Sequence, residues 1–341
     1  MSRPSLNAVP EAAGAPRHFP APGEEARRAV EQLPAALRRA APPELPARHE
    51  AALRRHFAPL AALPRPEWPS AAVAERAARL PGLAALHPRQ PAPTLQGALE
   101  AAHEVARALA AFTGLERFSL QPPCLEAAQR AALRIAVACF ARIEPQRAEV
   151  LGAEDSPLLA QAAEMGLAAR PVGRLPSGDL DVEELDGAIG PATALVAASW
   201  LTPEGRLDRN LAATGQLARV HGALLGVDAT GLARLAGHTR LREAAADIAW
   251  LPLAELCPAA TGAALGVRSH LTQYLPGPLV GKDRSGYVLD DELPGTVGPL
   301  ALTAAPLEGV LLAYVALRAL GEEGLRRRAV ELDAPGGGRL P

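Results

Sequence analysis

The sequence predicts an α/β fold, a mostly parallel sheet covered by helices on both faces. Three observations carry that expectation. From residue 148 to 253, short apolar runs alternate with amphipathic stretches of helical length, the pattern left by strand–helix–strand crossovers. Three of these runs, TALVAAS, ALLGVD and DIAWLPL, are apolar nearly throughout, as parallel strands buried on both sides must be. A chain of 341 residues, 49% hydrophobic and 21% charged, is also long enough to bury a large core.

Composition narrows the function classes. Aromatic residues make up only 3% of the sequence, so the core must rest on Leu, Ala and Val. A net charge of −2 gives no bulk attraction for nucleic acid or an anionic membrane. Cys124, Cys139 and Cys257 are odd in number and form no CxxC pair, so buried free thiols are expected. The N-terminus lacks an apolar signal-type run, and no stretch reaches the ~18 apolar residues that a bilayer requires. A cytoplasmic location is the default expectation.

In chain order, residues 1–24 are rich in Pro, Ala and Gly and read as a flexible N-terminal arm. Residues 25–93 read as a helical and loop extension. EEARRAVEQLPAALRRA and ELPARHEAALRRHFAPL space Leu, Val and Ala by three and four, and prolines punctuate 59–93. His49 and His56 fall on the second of these helices without further metal ligands nearby, and read as solvated or packed.

The α/β domain, expected over 94–330, opens with the helix TLQGALEAAHEVARALAAFTG, with Thr94 as N-cap and Gly114 closing it. The strand FSLQP and the apolar helix CLEAAQRAALRIAVACFARI follow. Then come a strand at 148–151, the helix DSPLLAQAAEMG capped at Asp155 or Ser156, and the strand AARPV. The turn PSGD leads to the helix DVEELDGAIG and the strand TALVAAS; the helix NLAATGQLARVHG leads to the strands ALLGVD and DIAWLPL. YLPGPLVGKDRSGYVLDDELPG reads as a loop, LEGVLLAYVALRALGEEGLRRRA as a long helix, and 331–341 as a disordered tail. Parallel α/β sheets gather ligands at the carboxyl ends of their strands, where Asp228 and the loop after Leu253 are expected.

Several stretches, taken in order, carry a resemblance. They are ARLPGLAALHPRQPAPTLQGALE (78–100), SLQP (119–122), GDLDVEEL, LLGVDATGL (224–232), DIAWLPL (247–253), YLPGPLVGKDRSGYVLD and AYVALRALGEEGLR. Over roughly residues 18–330 the chain resembles subunit 2 of glycine dehydrogenase (decarboxylating), the P-protein of the glycine cleavage system. The resemblance implies a fold-type-I aminotransferase-like large domain and, as the family cofactor, pyridoxal 5'-phosphate. That cofactor needs a lysine amine, a carboxylate at its pyridinium nitrogen, a phosphate cup of glycines and hydroxyls at a helix N-terminus, and a stacking ring.

Measured against those demands, Asp228 matches the pyridinium partner. The family's His-Lys pair is replaced by Ala254 and Glu255. The phosphate segment reads PCLEAAQRAAL, with Glu126 where negative charge repels a phosphate, and the stacking histidine falls near Glu154 and Asp155. The one lysine of the sequence, Lys282, lies in VGKDRSG and reads as a solvated loop lysine. The family's C-terminal small domain is expected to be absent.

The sequence therefore predicts a non-catalytic subunit-2-like pseudoenzyme. Its catalytic set is none, Asp228 is a vestigial cofactor contact, and no metal and no bound cofactor are expected. The partner is a second copy, as a homodimer, or a subunit 1-like chain, as a heterodimer, with neither nucleic acid nor membrane. Two alternatives stand beside it. The chain could serve an active glycine-decarboxylating complex whose lysine comes from another chain. Or it could be a small-ligand module in which Glu126, Glu154, Asp155, Asp228 and Glu255 converge on a cation or metal. His221 and His238 flank the Asp228 strand, but a Ser/His/Asp hydrolase using Ser199 finds no G-x-S-x-G elbow to support it. The arginines 326–328 end a helical pattern, where positive charge suits the dipole, and read as solvated.

Overall fold

The structure, a computed structural model, describes residues 94–235, 240–284, 286–291, 293–300, 307–318 and 324. The expectations for the arm, the 25–93 extension with His49 and His56, and the tail lie outside the described residues.

Sheet and helices alternate as the sequence predicts. Helix α1 (Gln96–Thr113) leads into β1 (Arg117–Ser119) and α2 (Leu125–Phe140). Next come β2 (Glu149–Ala153), α3 (Pro157–Glu164), β3 (Ala168–Val172), α4 (Val182–Ala188) and β4 (Thr193–Ser199). Then follow α5 (Leu211–Val220), β5 (Leu224–Asp228), the single turn α6 (Leu232–Leu235) and β6 (Ile248–Pro252). A 3-10 turn (Leu253–Glu255) joins β6 to β7 (Ala263–Val267). The strands β8 (Leu279–Asp283) and β9 (Gly286–Asp290) form a separate hairpin, and residues 307–318 are helical, α7.

Seven strands make one sheet in the order β1-β7-β6-β5-β4-β2-β3. The ladders β2–β3, β2–β4, β4–β5 and β5–β6 are parallel, and β7 alone runs against its neighbours. Alternation along each strand sends side chains to two cores. Leu151, Val196, Leu225, Val227, Ala249 and Leu251 face α1, α4, α5 and α7. Val150, Leu195, Ala197, Ile248 and Trp250 face α2 and α3. This two-sided burial is why the strands read as unbroken apolar runs.

Close approach is bought with glycine at three places. A Cβ on Gly226 would lie 2.9 Å from the Trp250 ring, and one on Gly266 would lie 2.2 Å from Phe118. The two bulky rings thus lie across neighbouring strands where side chains are missing. Within α5, a Cβ on Gly215 would stand 1.8 Å from the carbonyl oxygen of Ala244, so that helix packs on the segment leading into β6 through bare backbone.

Four local expectations need correcting. The N-cap position of α1 is Leu95, not Thr94, and it makes no side-chain cap, although Gly114 does close the helix in the left-handed region. Ser156 occupies the N-cap of α3 without a side-chain bond, while Asp155 is drawn to Arg174 at 3.0 Å. The expected loop around Lys282 is the β8–β9 hairpin, with Lys282 paired to Tyr287. Its glycines, Gly281 and Gly286, hid the strand alternation. Finally, Cys257 is buried but Cys139 is half-buried and Cys124 exposed, since Cys124 precedes α2 at the sheet edge instead of lying within it.

At the entry to β6, the Asp247 carboxylate accepts from the Leu225 N–H at 2.9 Å, with Arg268 at 3.8 Å. Burial is the largest influence on it and pushes its pKa up, outweighing the Leu225 bond and the His270, Arg268 and Arg219 charges.

Two outcomes are expected. Gly215→Ala should cost about 1–3 kcal/mol of overpacking, read by urea unfolding. Because the folded pKa of Asp247 lies above its unfolded value, the folded state binds the extra proton, and this stabilisation is lost as pH rises through the folded pKa. Asp247→Asn should remove that component from a stability-versus-pH curve, leaving a shallower fall above the ordinary aspartate range.

Candidate functional site

The carboxyl edge of the parallel strands collects the ends of β1 to β6, and with them most of the residues singled out from the sequence. After β5, Asp228 is half-buried, and its Oδ1 accepts from the Thr230 N–H at 2.9 Å. Its neighbours in register are Ser199 on β4 and Trp250 on β6. The main chain locks the corner: Trp200 N–H donates to the Asp228 carbonyl, and Ala229 N–H to that of Trp250.

After β6, the chain makes a 3-10 turn over Leu253–Glu255. Ala254 is exposed. Glu255 is half-buried and turns back toward β5, its Oε2 accepting from the Ala233 N–H at 3.2 Å. The two residues flagged at this turn, and Asp228 one strand away, therefore share one corner of the sheet, with both carboxylates fastened to backbone amides of 230–233. The ten-residue connection ends where Leu253 N–H meets the Gly262 carbonyl at 2.9 Å and Ala263 N–H meets that of Pro122 at 3.0 Å.

Pro122 leads into α2, which begins at the same edge. Glu126 stands in its first turn, beside the exposed N-cap Cys124. Hydrogen bonds from its own backbone N–H and from the Cys124 side chain hold the Glu126 carboxyl below the usual range. A negative charge thus already answers the free amides and positive end of that helix.

The acidic residues do not converge. Glu126 and Glu154 are exposed, and Asp155 turns to Arg174. Among the described residues, no group of three His, Cys, Asp or Glu could hold a metal. His221 follows the last turn of α5, at the opposite edge from Ser199 and Asp228, so it does not join them in a triad. His238 and the arginines at 326–328 lie outside the described residues.

Asp228, Ala254 and Glu255 offer no amine for a Schiff base with pyridoxal phosphate. The corner after β6 presents a carboxylate and a methyl group instead of an amine. The α2 N-terminus carries its own anion. Lys282, the one lysine of the sequence, belongs to the hairpin, where its Nζ sits 5.0 Å over the Tyr287 ring.

The hairpin also shows what sequence reading missed. Lys282, Arg117, His103 and Tyr287 come together from β8, β1, α1 and β9. They are separated by up to 184 residues in sequence, His103 to Tyr287. Only the isolation of Lys282 in a lysine-poor sequence could have drawn attention there.

Comparison with known proteins places the chain among relatives of one name. It is 30% identical over 287 residues to the probable glycine dehydrogenase (decarboxylating) subunit 2 of Coxiella burnetii strain CbuK_Q154, covering 80% of this chain and 58% of that protein. It is 30% identical over 325 residues to the protein of that name from Methylococcus capsulatus, covering 88% and 66%. The chain thus spans little more than half the length of the Coxiella relative. Among solved structures, the glycine decarboxylase (P-protein) of the glycine cleavage system, in inhibitor-bound form, aligns with a TM-score of 0.62. The alignment is 23% identical and covers 84% of this chain and 69% of that one. That likeness shows the fold, a fold-type-I aminotransferase-like sheet. No family model matches the chain.

Glu255→Ala should lower stability by about 1 kcal/mol or more, because the Ala233 amide loses its acceptor. Denaturant midpoints of the two proteins check this.

Proposed function

Since the chain is a homologue of the glycine dehydrogenase (decarboxylating) subunit 2 proteins, we propose that it is a non-catalytic subunit of that type. In this reading it keeps the aminotransferase-like scaffold, binds no pyridoxal phosphate, and serves in the cytoplasm as a structural partner for a subunit 1-like chain or for a second copy of itself. The observation that carries the proposal is Glu255. At the position where the resemblance expects the Schiff-base lysine, a carboxylate turns inward and ties the β6 corner to Ala233.

Two further features support it. Glu126 supplies negative charge at the helix N-terminus that the resemblance assigns to the cofactor phosphate. Lys282 is held against Tyr287 on a hairpin that shares no residue with the Asp228 corner. Asp228 persists because the corner needs it: its carboxylate closes the turn to Thr230 whether or not a pyridinium is present. Among the described residues no helix is long and apolar enough to cross a membrane.

Pyridoxal phosphate titrated into the purified chain should give no visible band that depends on Asp228. A saturable band that Asp228→Ala abolishes in a folded protein would overturn the proposal, whereas a borohydride-fixed adduct on Lys282 that is indifferent to Asp228 belongs to the hairpin and leaves the proposal standing. Reconstitution with a subunit 1-like chain is the second arm. Stable association without glycine-dependent CO2 release is expected. CO2 release that depends on this chain would replace the proposal with a complex in which another polypeptide supplies the amine.

A further inference from the structure

The β8–β9 hairpin lies across α1 and the start of β1, and borders an open groove of about 740 Å³ lined by His103, Arg117, Gly281, Lys282, Val288, Leu289, Asp290 and Asp291. This volume falls within the ordinary range for small-molecule sites, ~300–1,000 Å³. The groove is built rather than incidental. Gln96 on α1 clamps the hairpin with two bonds, donating to the Tyr287 carbonyl at 2.8 Å and accepting from its N–H at 2.9 Å. Two turns further along the same helix face, the His103 ring stands 5.5 Å from the Tyr287 ring. The far wall is pinned where Arg117 donates to the Val280 carbonyl at 3.5 Å.

Charge within the groove is uneven. Burial is the largest influence on His103 and lowers its pKa; Glu104 opposes this, while Arg107, Arg117 and Lys282 add to it, which favours the neutral imidazole that can donate or accept a hydrogen bond. Neither Arg117 nor Lys282 forms an ion pair with a carboxylate among the described residues. Two such cations at one opening favour an arriving anion, although Asp290 and Asp291 in the same lining offset part of their charge. Leu289, two residues along β9 from Tyr287 and so on the face of the strand that carries Tyr287 and Lys282, offers an apolar surface beside them. Asp290 and Asp291 close one end with negative charge, which disfavours nucleic acid and other polyanions.

We propose that this groove binds a small organic anion, its single carboxylate or phosphate headgroup facing Lys282 and Arg117 and its apolar body lying on Leu289. His103 contributes a hydrogen bond to the headgroup. The proposal does not depend on whether the Asp228 corner has lost its cofactor.

The single lysine makes the test direct. Reductive 13C-methylation of the full chain keeps the charge on Lys282 and yields one dimethyl-lysine NMR signal besides that of the N-terminal amine, which serves as the internal control. Titration with benzoate, with phenyl phosphate and with inorganic phosphate separates the two headgroups and the contribution of the apolar body. A saturable shift of the Lys282 signal, stronger for one organic anion than for inorganic phosphate, is expected. Arg117→Gln should weaken it at least tenfold, and His103→Gln less, both in variants whose circular dichroism matches the parent. Chloride at matched ionic strength should leave the signal in place. If every anion, chloride included, moves both signals alike and without saturation, only screening is present and the proposal is wrong. An undiminished, saturable shift in a folded Arg117→Gln protein overturns it equally.

Discussion

Burial of one strand ladder on both faces is the constraint from which the rest of this structure follows. The central strands must find apolar partners above and below nearly every residue, only the edge strand β3 being largely exposed, and they do so with very few aromatic side chains. The solution is close approach. Small residues bring helices and strands near enough for Leu, Val and Ala to fill the space, and large rings are set against glycines, Trp250 against Gly226 and Phe118 against Gly266. Dispersion contacts depend steeply on distance, so such a core is sensitive both to atoms removed and to atoms added.

The same constraint concentrates polar variation at the carboxyl edge. Inside the ladder a charged replacement would be ruinous, whereas at the strand ends backbone amides are free to receive it. Asp228 accepts from Thr230, Glu255 from Ala233, and Glu126 from its own first-turn amide. Each acid is answered locally by a main-chain donor. The Glu255 bond to Ala233 thereby ties the loop after β6 to the one after β5.

Much of this was legible in the sequence. AARPV and TALVAAS are strands at the residues read, and ALLGVD and DIAWLPL shift only at their ends, because apolar runs of that length between helical patterns have few other homes. The homology was legible too, carried by ordered short motifs rather than by overall identity. Strand β7 was not, because AALGV follows a loop of small residues and is apolar without period. The hairpin was missed for the opposite reason: glycines at 281 and 286 and charges at 282–284 look like a turn when the partner strand is unknown. Which way the acids point could not be read at all. Glu255 and Glu154 are the same side chain in similar loops, yet one turns to a backbone amide and the other to water.

The connection from Leu253 to Gly262 is stapled at its base by one main-chain bond between those two residues, and its exit is tied to Pro122. Both fastenings are main-chain bonds, but the segment between them is also anchored by side chains: Leu256, Cys257 and Ala260 are buried in the core. New side chains are therefore admitted without repacking only at its exposed positions, Ala254, Pro258, Ala259 and Thr261. The bridge offers solvent a few open places on a rigid frame, so any novelty written there is written on the outside of the molecule.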